Sequence, residues 1–522
     1  MPIRPTRRAA TGISVAVAAA LATVGCFPDL PVEPPATTTT TTSTTTTTTI
    51  PPLGPVGPST SSSPYLLSAL AGVAPTSVLT VGDSVPGATG GTYKMAGIPD
   101  GLGAFDNGDG TMTVLMNHEL GGTVGAVRAH GQAGAFVSKW VIRKSDMTVL
   151  SGTDLITQQE LADGAGGWVA GSSALNRLCS ADLPAVNALY NAATGAGTQD
   201  RIFLSGEEAG NEGRAFAHVV TGADAGKSFE LPRVGNLSFE NLLAQPLASD
   251  TTSVIVNDDS TPGQVYLYTG TKQTTGNAVE KAGLNNGVLA GIKVAGLATE
   301  SDTAKISGPT AFTLAGLGDV SGLTGAQIET NSTTAGVTRF NRPEDGVWDP
   351  NHPTDYYFAT TASFGNATTQ GLTRLWRLRF ADASNLAAGG TAEIMFEGAP
   401  FDPAKTPAEQ AGPRMIDNLT IGANGDLLLQ EDPGNTPYVA GVYQFDPVSK
   451  NIRKVLGHDP DRFVTGAPNF LTVDEESSGV VSVENILGAG KYLVVTQAHY
   501  TNADPTLVEG GQLMVVDVPD LP

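Results

Sequence analysis

Cysteine is nearly missing from this chain: among 522 residues there are only Cys26 and Cys179, so at most one disulfide can form. Histidine is scarce too, and its six residues fall in no HxH or HExxH spacing, which leaves a histidine-built zinc site without support. Positive charge is in deficit, 29 Lys+Arg against 51 Asp+Glu for a formal net charge of -22, and such a surface repels nucleic acid and anionic membrane. Helical periodicity is also rare; the clearest helical stretch is LPAVNALYNAA, after Ser180. The glycine motifs, GAGG at 164–167 among them, follow no strand that would make them a phosphate loop.

What the chain has in quantity is glycine, 63 residues, and proline, 34, which point to many turns between short strands. Short apolar runs such as RIFLSG, SVIVND, GQVYLYTG, DYYFATT, DLLLQED and KYLVVTQ recur, separated by Gly, Asp, Asn and Pro clusters. Three segments organise the chain. Residues 1–25 read as an export signal, with Arg4, Arg7 and Arg8 ahead of an apolar run, Ile13 to Val24, too short for a permanent anchor. TVGC then sets Gly25 before Cys26, as in a bacterial lipoprotein signal, so lipidation of Cys26 and a membrane tether are expected. Residues 26–64, rich in Pro, Thr and Ser, have almost nothing to bury and read as a disordered linker or stalk. Residues 65–522 are then expected to form one large domain.

Several apolar runs end in acids: TVLMNHE at Glu119, RIFLSGEE at Glu207 and Glu208, SVIVNDD at Asp258 and Asp259, DLLLQED at Glu431 and Asp432. A looser relative, FNRPED, ends at Glu344 and Asp345. Acids at strand ends are most often solvated turn residues. The spacing of this set, however, is about one or two propeller blades at roughly 40 to 50 residues per blade, and a propeller aims the inner strands of all its blades at one channel. Carboxylates gathered there raise one another's pKa unless a cation sits between them; hard oxygen ligands suit calcium, and a thiolate in the set favours a transition metal. Cys179 can be a buried small hydrophobe, a disulfide partner of Cys26 or a metal ligand. His118, beside Glu119, is the histidine expected nearest a site; His218, His352 and His458 read as structural or surface residues. DEESSG at 474–479 reads as a further calcium loop or a helix N-cap, with the structural reading preferred, and Trp348 and Trp376 read as core.

In order along the chain stand MNHEL (116–120), RLCSADL (177–183), FLSGEE (203–208), LSFENL (237–242), VNDD (256–259), NRPEDGVWDP (341–350), IDNLTI (416–421), LQEDPGN (429–435), LTVDEESSGV (471–480) and LVEGGQL (507–513). This series resembles the PhoX-type alkaline phosphatases. The resemblance implies an all-β fold, a β-propeller of six blades whose pore holds iron and calcium and hydrolyses phosphate monoesters; the acidic charge, for its part, leaves no nucleic-acid partner expected. It further implies that Cys179, Glu119, Glu207 and Glu208 ligate iron, that Glu240, Glu344 and Asp432 ligate calcium, and that Arg342 grips the substrate phosphate. Phe239-Glu240 departs from the His-Glu pair of many family members. Two other readings share the fold: a non-catalytic calcium-stabilised propeller that binds a cell-surface or extracellular partner, and a propeller hydrolase acting on lactones or other esters.

Overall fold

The structure, a computed structural model, describes residues 55–362 and 372–520. The export signal, Cys26 and most of the Thr-rich tract lie outside the described residues. Among the described residues no helix is long and apolar enough to cross a membrane.

Six blades of antiparallel strands, each led by one inner strand, match the expectation from the sequence, with blades three and four joined in one nine-stranded sheet. Blade one comprises Pro99–Asp106, Thr111–His118, Phe136–Arg143 and Val149–Asp154. Blade two runs from Leu178–Asp182 through Ile202–Glu207, Ala215–Val219 and Lys227–Glu230. Blade three is Phe239–Ala244, Thr251–Asp258, Val265–Thr271 and Val288–Val294. Blade four is Pro343–Trp348, Asp355–Thr360, Arg374–Phe380 and Gly390–Glu397, and the strand Thr310–Gly318 ties its outer edge to that of blade three. Blade five is Ile416–Ile421, Leu427–Glu431, Gly441–Phe445 and Ile452–His458. Blade six, Glu475–Ser482, Lys491–Ala498 and Gly510–Asp517, takes its outermost strand, Ala74–Thr80, from the other end of the domain.

The six inner strands pack side by side in chain order, and Glu475–Ser482 packs back onto Pro99–Asp106, so the ring is closed. Its apolar interior is divided among the blade interfaces. Successive residues of a strand point to opposite faces, and here both faces are covered by a neighbouring blade. Val254 and Val256 thus join the core shared with blade two, while Ile255 between them joins the core shared with blade four. Burial on both faces explains why the strands read as unbroken apolar runs rather than as alternating ones.

Two features differ from the sequence reading. LPAVNALYNAA gives only the four-residue helix Val186–Leu189, because Tyr190–Asn191 leaves it to pair with Ala196–Gly197. The longest helix among the described residues is Gly325–Ala335, set by a capping box of Thr324 and Gln327 and stopped by Gly336 in the left-handed region at φ 73°. Contacts of the folded part also reach upstream of Tyr65, into the tract expected to be linker: Val56 bridges Ser77, and the Ser77 hydroxyl donates to the Ser62 carbonyl at 2.7 Å.

Trp376 is wholly buried between Phe358 and Phe340 at the interface of blades three and four. Trp376→Ala is therefore expected to cost about 3 to 5 kcal/mol, read as a lowered urea midpoint.

Candidate metal and active site

Five of the six inner strands start with the same local device. In five blades the ladder slips within the first residues: between Pro99 and Leu102, Leu178 and Ala181, Phe239 and Asn241, Pro343 and Gly346, and Ile416 and Leu419. A bulge frees one residue from pairing and re-aims its side chain. The second residue of every inner strand, Asp100, Cys179, Glu240, Glu344, Asp417 and Glu476, lines one cavity of about 250 Å³. The residue just ahead of the strand is left-handed in four blades, Ile98 at φ 50°, Arg177 at 50°, Arg342 at 61° and Met415 at 45°. Such conformations cost side-chain-bearing residues on the order of 1 to 3 kcal/mol and collect at functional sites.

A second ring comes from the residue that follows the second strand of each blade: Glu119, Glu208, Asp259, Thr361, Asp432 and His499. Its backbone N–H donates to the carbonyl of the residue ahead of the inner strand, in chain order to Ile98, Arg177, Ser238, Arg342, Met415 and Asp474, at 2.8 to 3.0 Å. One hydrogen bond repeated in six blades thus fixes six side chains, and all but Thr361 line the cavity.

Alternation decides which acid of each pair enters. Glu207, expected as an iron ligand, does not line the cavity. It is the last residue of its strand, turned away from the pore, where it accepts from Arg214 Nε at 2.8 Å and Nη2 at 2.7 Å and from the Asn176 N–H at 3.1 Å. Asp258 likewise accepts from the Ser260 hydroxyl at 2.8 Å, and Glu431 from the Tyr438 hydroxyl and the Gly441 N–H, both at 2.7 Å. His118 occupies the same register and is turned from the cavity, contacting the Gly97 carbonyl at 3.0 Å and Ser138 Oγ at 2.9 Å.

Of the residues singled out from the sequence, Glu119, Cys179, Glu208, Glu240, Arg342, Glu344 and Asp432 meet in the cavity. Asp100, Asp259, Asp417, Asp474, Glu476, His499 and Arg177 line it as well and were not assigned. DEESSG is accordingly a site segment, not a purely structural one: Glu475 accepts from the Ala440 N–H, while Asp474 and Glu476 face the cavity. A signal for Asp100, Asp417 and Glu476 was present. IPDG, RLCS, SFEN, RPED, MIDN and DEES each open a blade, and each carries its acid or its cysteine at the third position.

Five aspartates, five glutamates and a thiol therefore face two arginines and one histidine. Burial and then Asp100 push the Cys179 thiol up, and its Sγ donates to Asp100 Oδ2 at 3.3 Å. Burial and then Glu119 raise the Asp100 carboxyl, burial and then Asp100 that of Glu240, and burial and then Asp259 that of Glu344. Burial, reinforced by Glu119, pushes Glu208 up to about 8; burial, reinforced by Asp432, pushes Glu476 up to about 7. Burial alone would lower the pKa of His499, but its contacts with Glu476 and Glu509 carry it up to about 11. Arg342 donates to Asp259 through Nε at 3.0 Å and Nη2 at 2.9 Å and pairs with Glu344 at 2.9 Å.

Two sets of donors converge, with ligand atoms within 4.8 Å of one another: Asp100, Glu119 and Cys179, and Glu240, Glu344 and Asp417. Asp417 Oδ1 is buried with no hydrogen-bond partner. Uncompensated like charges and an orphaned acceptor fit bound cations, a sulfur-containing set on one side and an all-oxygen set on the other.

Fold and site together define a six-bladed propeller whose pore carries two groups of donors that could hold cations. The family model described as Alkaline phosphatase PhoX matches residues 219–462. Among solved structures, Pseudomonas fluorescens PhoX in complex with vanadate, a transition-state analogue, aligns with a TM-score of 0.62 at 11% identity, covering 89% of this chain and 98% of that one. At that identity the likeness is one of fold. A Trypanosoma rangeli sialidase in complex with the inhibitor DANA aligns with a TM-score of only 0.32 at 9% identity, over 86% of this chain and 60% of that one, and nothing follows from it. No curated protein matches the sequence. The family match and the fold match bear out the resemblance to the PhoX-type alkaline phosphatases, and the family match carries the class of activity, a phosphatase.

The raised carboxyls give a prediction about pH. A folded carboxyl that holds its proton longer than the unfolded one favours folding at low pH and withdraws that support as pH rises through the folded pKa. His499, also raised, acts in the same direction. Metal-free protein is expected to lose thermal stability from pH 5 to pH 8, across the window set by Glu476 at about 7 and Glu208 at about 8. Added calcium is expected to flatten that slope and raise the melting temperature. A metal-free melting temperature that rises over this range counts against the cluster.

Proposed function

We propose that the protein is a metal-dependent phosphatase that hydrolyses phosphate monoesters outside the cytoplasm. One observation carries this reading: two buried donor groups, Asp100–Glu119–Cys179 and Glu240–Glu344–Asp417, share a cavity with the half-buried guanidinium of Arg342. A phosphate ester is an anion and is repelled by a cavity lined with ten carboxyl groups, so cations must neutralise those groups before the ester can bind. In this reading iron is held by Asp100, Glu119, Cys179 and Glu208, and calcium by Glu240, Glu344, Asp417 and Asp432. When bound, such ions polarise phosphoryl oxygens and lower the pKa of coordinated water.

The chain's own residues do the rest. Arg342 offers a planar fork that matches two phosphate oxygens, a geometry that lysine does not copy. Its present partners, Asp259 and Glu344, hold the fork at the cavity rim, and a cation held by Glu344 would release part of that fork to substrate. His499, charged and anchored by Glu509 at 2.5 Å, adds a fixed positive group beside Glu476. Positioning the phosphoryl group and stabilising the charge on its oxygens are the main requirements of phosphoryl transfer. The N-terminal signal, Cys26 and the Thr-rich tract support a secreted or surface-tethered lipoprotein with phosphate esters as small-molecule partners.

Purified protein supplied with iron and calcium is expected to hydrolyse a chromogenic phosphomonoester and to stop when chelated. Arg342→Ala is expected to lower kcat/KM by about 100- to 1000-fold with metal content unchanged, a loss typical of removing one charge-stabilising donor. Calcium without iron in elemental analysis, together with no turnover, points instead to the non-catalytic propeller.

A further inference from the structure

Arg177 stands in blade two where Arg342 stands in blade four. Both residues immediately precede an inner strand, both are left-handed, at φ 50° and 61°, and the carbonyl of each accepts from the second-ring residue of its own blade. Both guanidinium groups also span two blades. Arg177 pairs with Glu208 of its own blade and with Glu119 of blade one at 2.7 Å. Arg342 pairs with Glu344 of its own blade and with Asp259 of blade three at 2.9 Å. The other four blades place Ile98, Ser238, Met415 and Asp474 at this position, so these are the two arginines of the ring.

Their carboxylate partners divide between the two donor groups. Glu119 belongs with Asp100 and Cys179, and Glu344 belongs with Glu240 and Asp417. Each candidate cation group therefore has one arginine of its own. Both side chains line the same cavity and keep part of their surface open, 48% for Arg177 and 27% for Arg342.

We propose that Arg177 is a second substrate-binding guanidinium, which holds the phosphoryl group jointly with Arg342. This rests on the phosphatase reading above. A cation held by Glu119 and Glu208 would take both carboxylates that hold the Arg177 fork, and the freed N–H groups would then face an anion in the cavity. A phosphoryl group presents three equatorial oxygens, one more than a single fork engages, so a second fork from another blade has an oxygen to bind. The alternative is that Arg177 only spaces Glu119 from Glu208, in which case it governs metal content and not anion affinity.

The test uses metal-loaded full-length protein and orthovanadate as the probe, with wild type, Arg177→Ala, Arg177→Lys and the surface variant Arg143→Ala. Arg177→Ala is expected to raise the vanadate inhibition constant and KM by about 10- to 100-fold, the scale of one or two charge-assisted hydrogen bonds. Iron and calcium content should stay at the wild-type level, Arg177→Lys should recover affinity only in part, and Arg143→Ala should match wild type. Unchanged vanadate inhibition in Arg177→Ala overturns the proposal. So does a loss of activity that follows a loss of bound metal. If wild type itself neither turns over a monoester nor binds vanadate, the phosphatase reading fails, and this inference with it; an active, vanadate-sensitive wild type beside Arg177 variants of unchanged affinity sinks this inference alone.

Discussion

Mutual repulsion among converging acids is the constraint that the rest of this structure answers. Ten carboxyl groups share a cavity of about 250 Å³. Left to themselves, those acids would move apart or protonate, and the raised carboxyls of Asp100, Glu240 and Glu344 record the second response. The first is prevented by the fold. A ring closed by pairing Ala74–Thr80 with Gly510–Asp517 cannot widen at one blade without opening an apolar interface at another. The free energy that confines the acids comes from the interblade cores, and the two donor groups in the cavity are placed where a cation would relieve the repulsion.

Confinement has a local counterpart. The bulges at the strand starts and the left-handed residues ahead of them are unfavourable conformations, and they recur blade after blade at the same register. Repetition is what turns a local distortion into a site: six small re-aimings, each held by the same backbone hydrogen bond, point rings of side chains into one pore. Substituting a single ring residue leaves the device intact, because the aim resides in the backbone.

The propeller was legible in the sequence because its evidence is additive: many apolar runs, turns between them, and acids at intervals that fit blades. Which acid of a pair enters the pore was harder to read. Glu207 and Glu208 are adjacent and chemically alike, and only the register of the Ile202–Glu207 strand sends one to Arg214 and the other to the cavity. Asp100, Asp417 and Glu476 escaped for a different reason. They sit at the start of strands, where acids look like ordinary turn residues, and they stand out only when IPDG, MIDN and DEES are laid over RLCS and RPED. The longest helix was hidden because GAQIETNSTTA is polar and is defined by its caps more than by an apolar face.

The same register argument places the departure at Phe239. Phe239 opens the inner strand of blade three and is fully buried in the core between blades two and three, so close to Gly206 that a Cβ there would lie 2.3 Å from the Phe239 Cβ. Its neighbour Glu240 is the one that enters the pore. Position 239 thus faces the blade interface, so the departure expected there lies in the packing between blades, and Glu240 keeps its place in the pore. The Ser180 hydroxyl, which donates to Glu240, and Asn418, which donates to Ser180 at 2.6 Å, hold that carboxylate from the pore side without help from position 239.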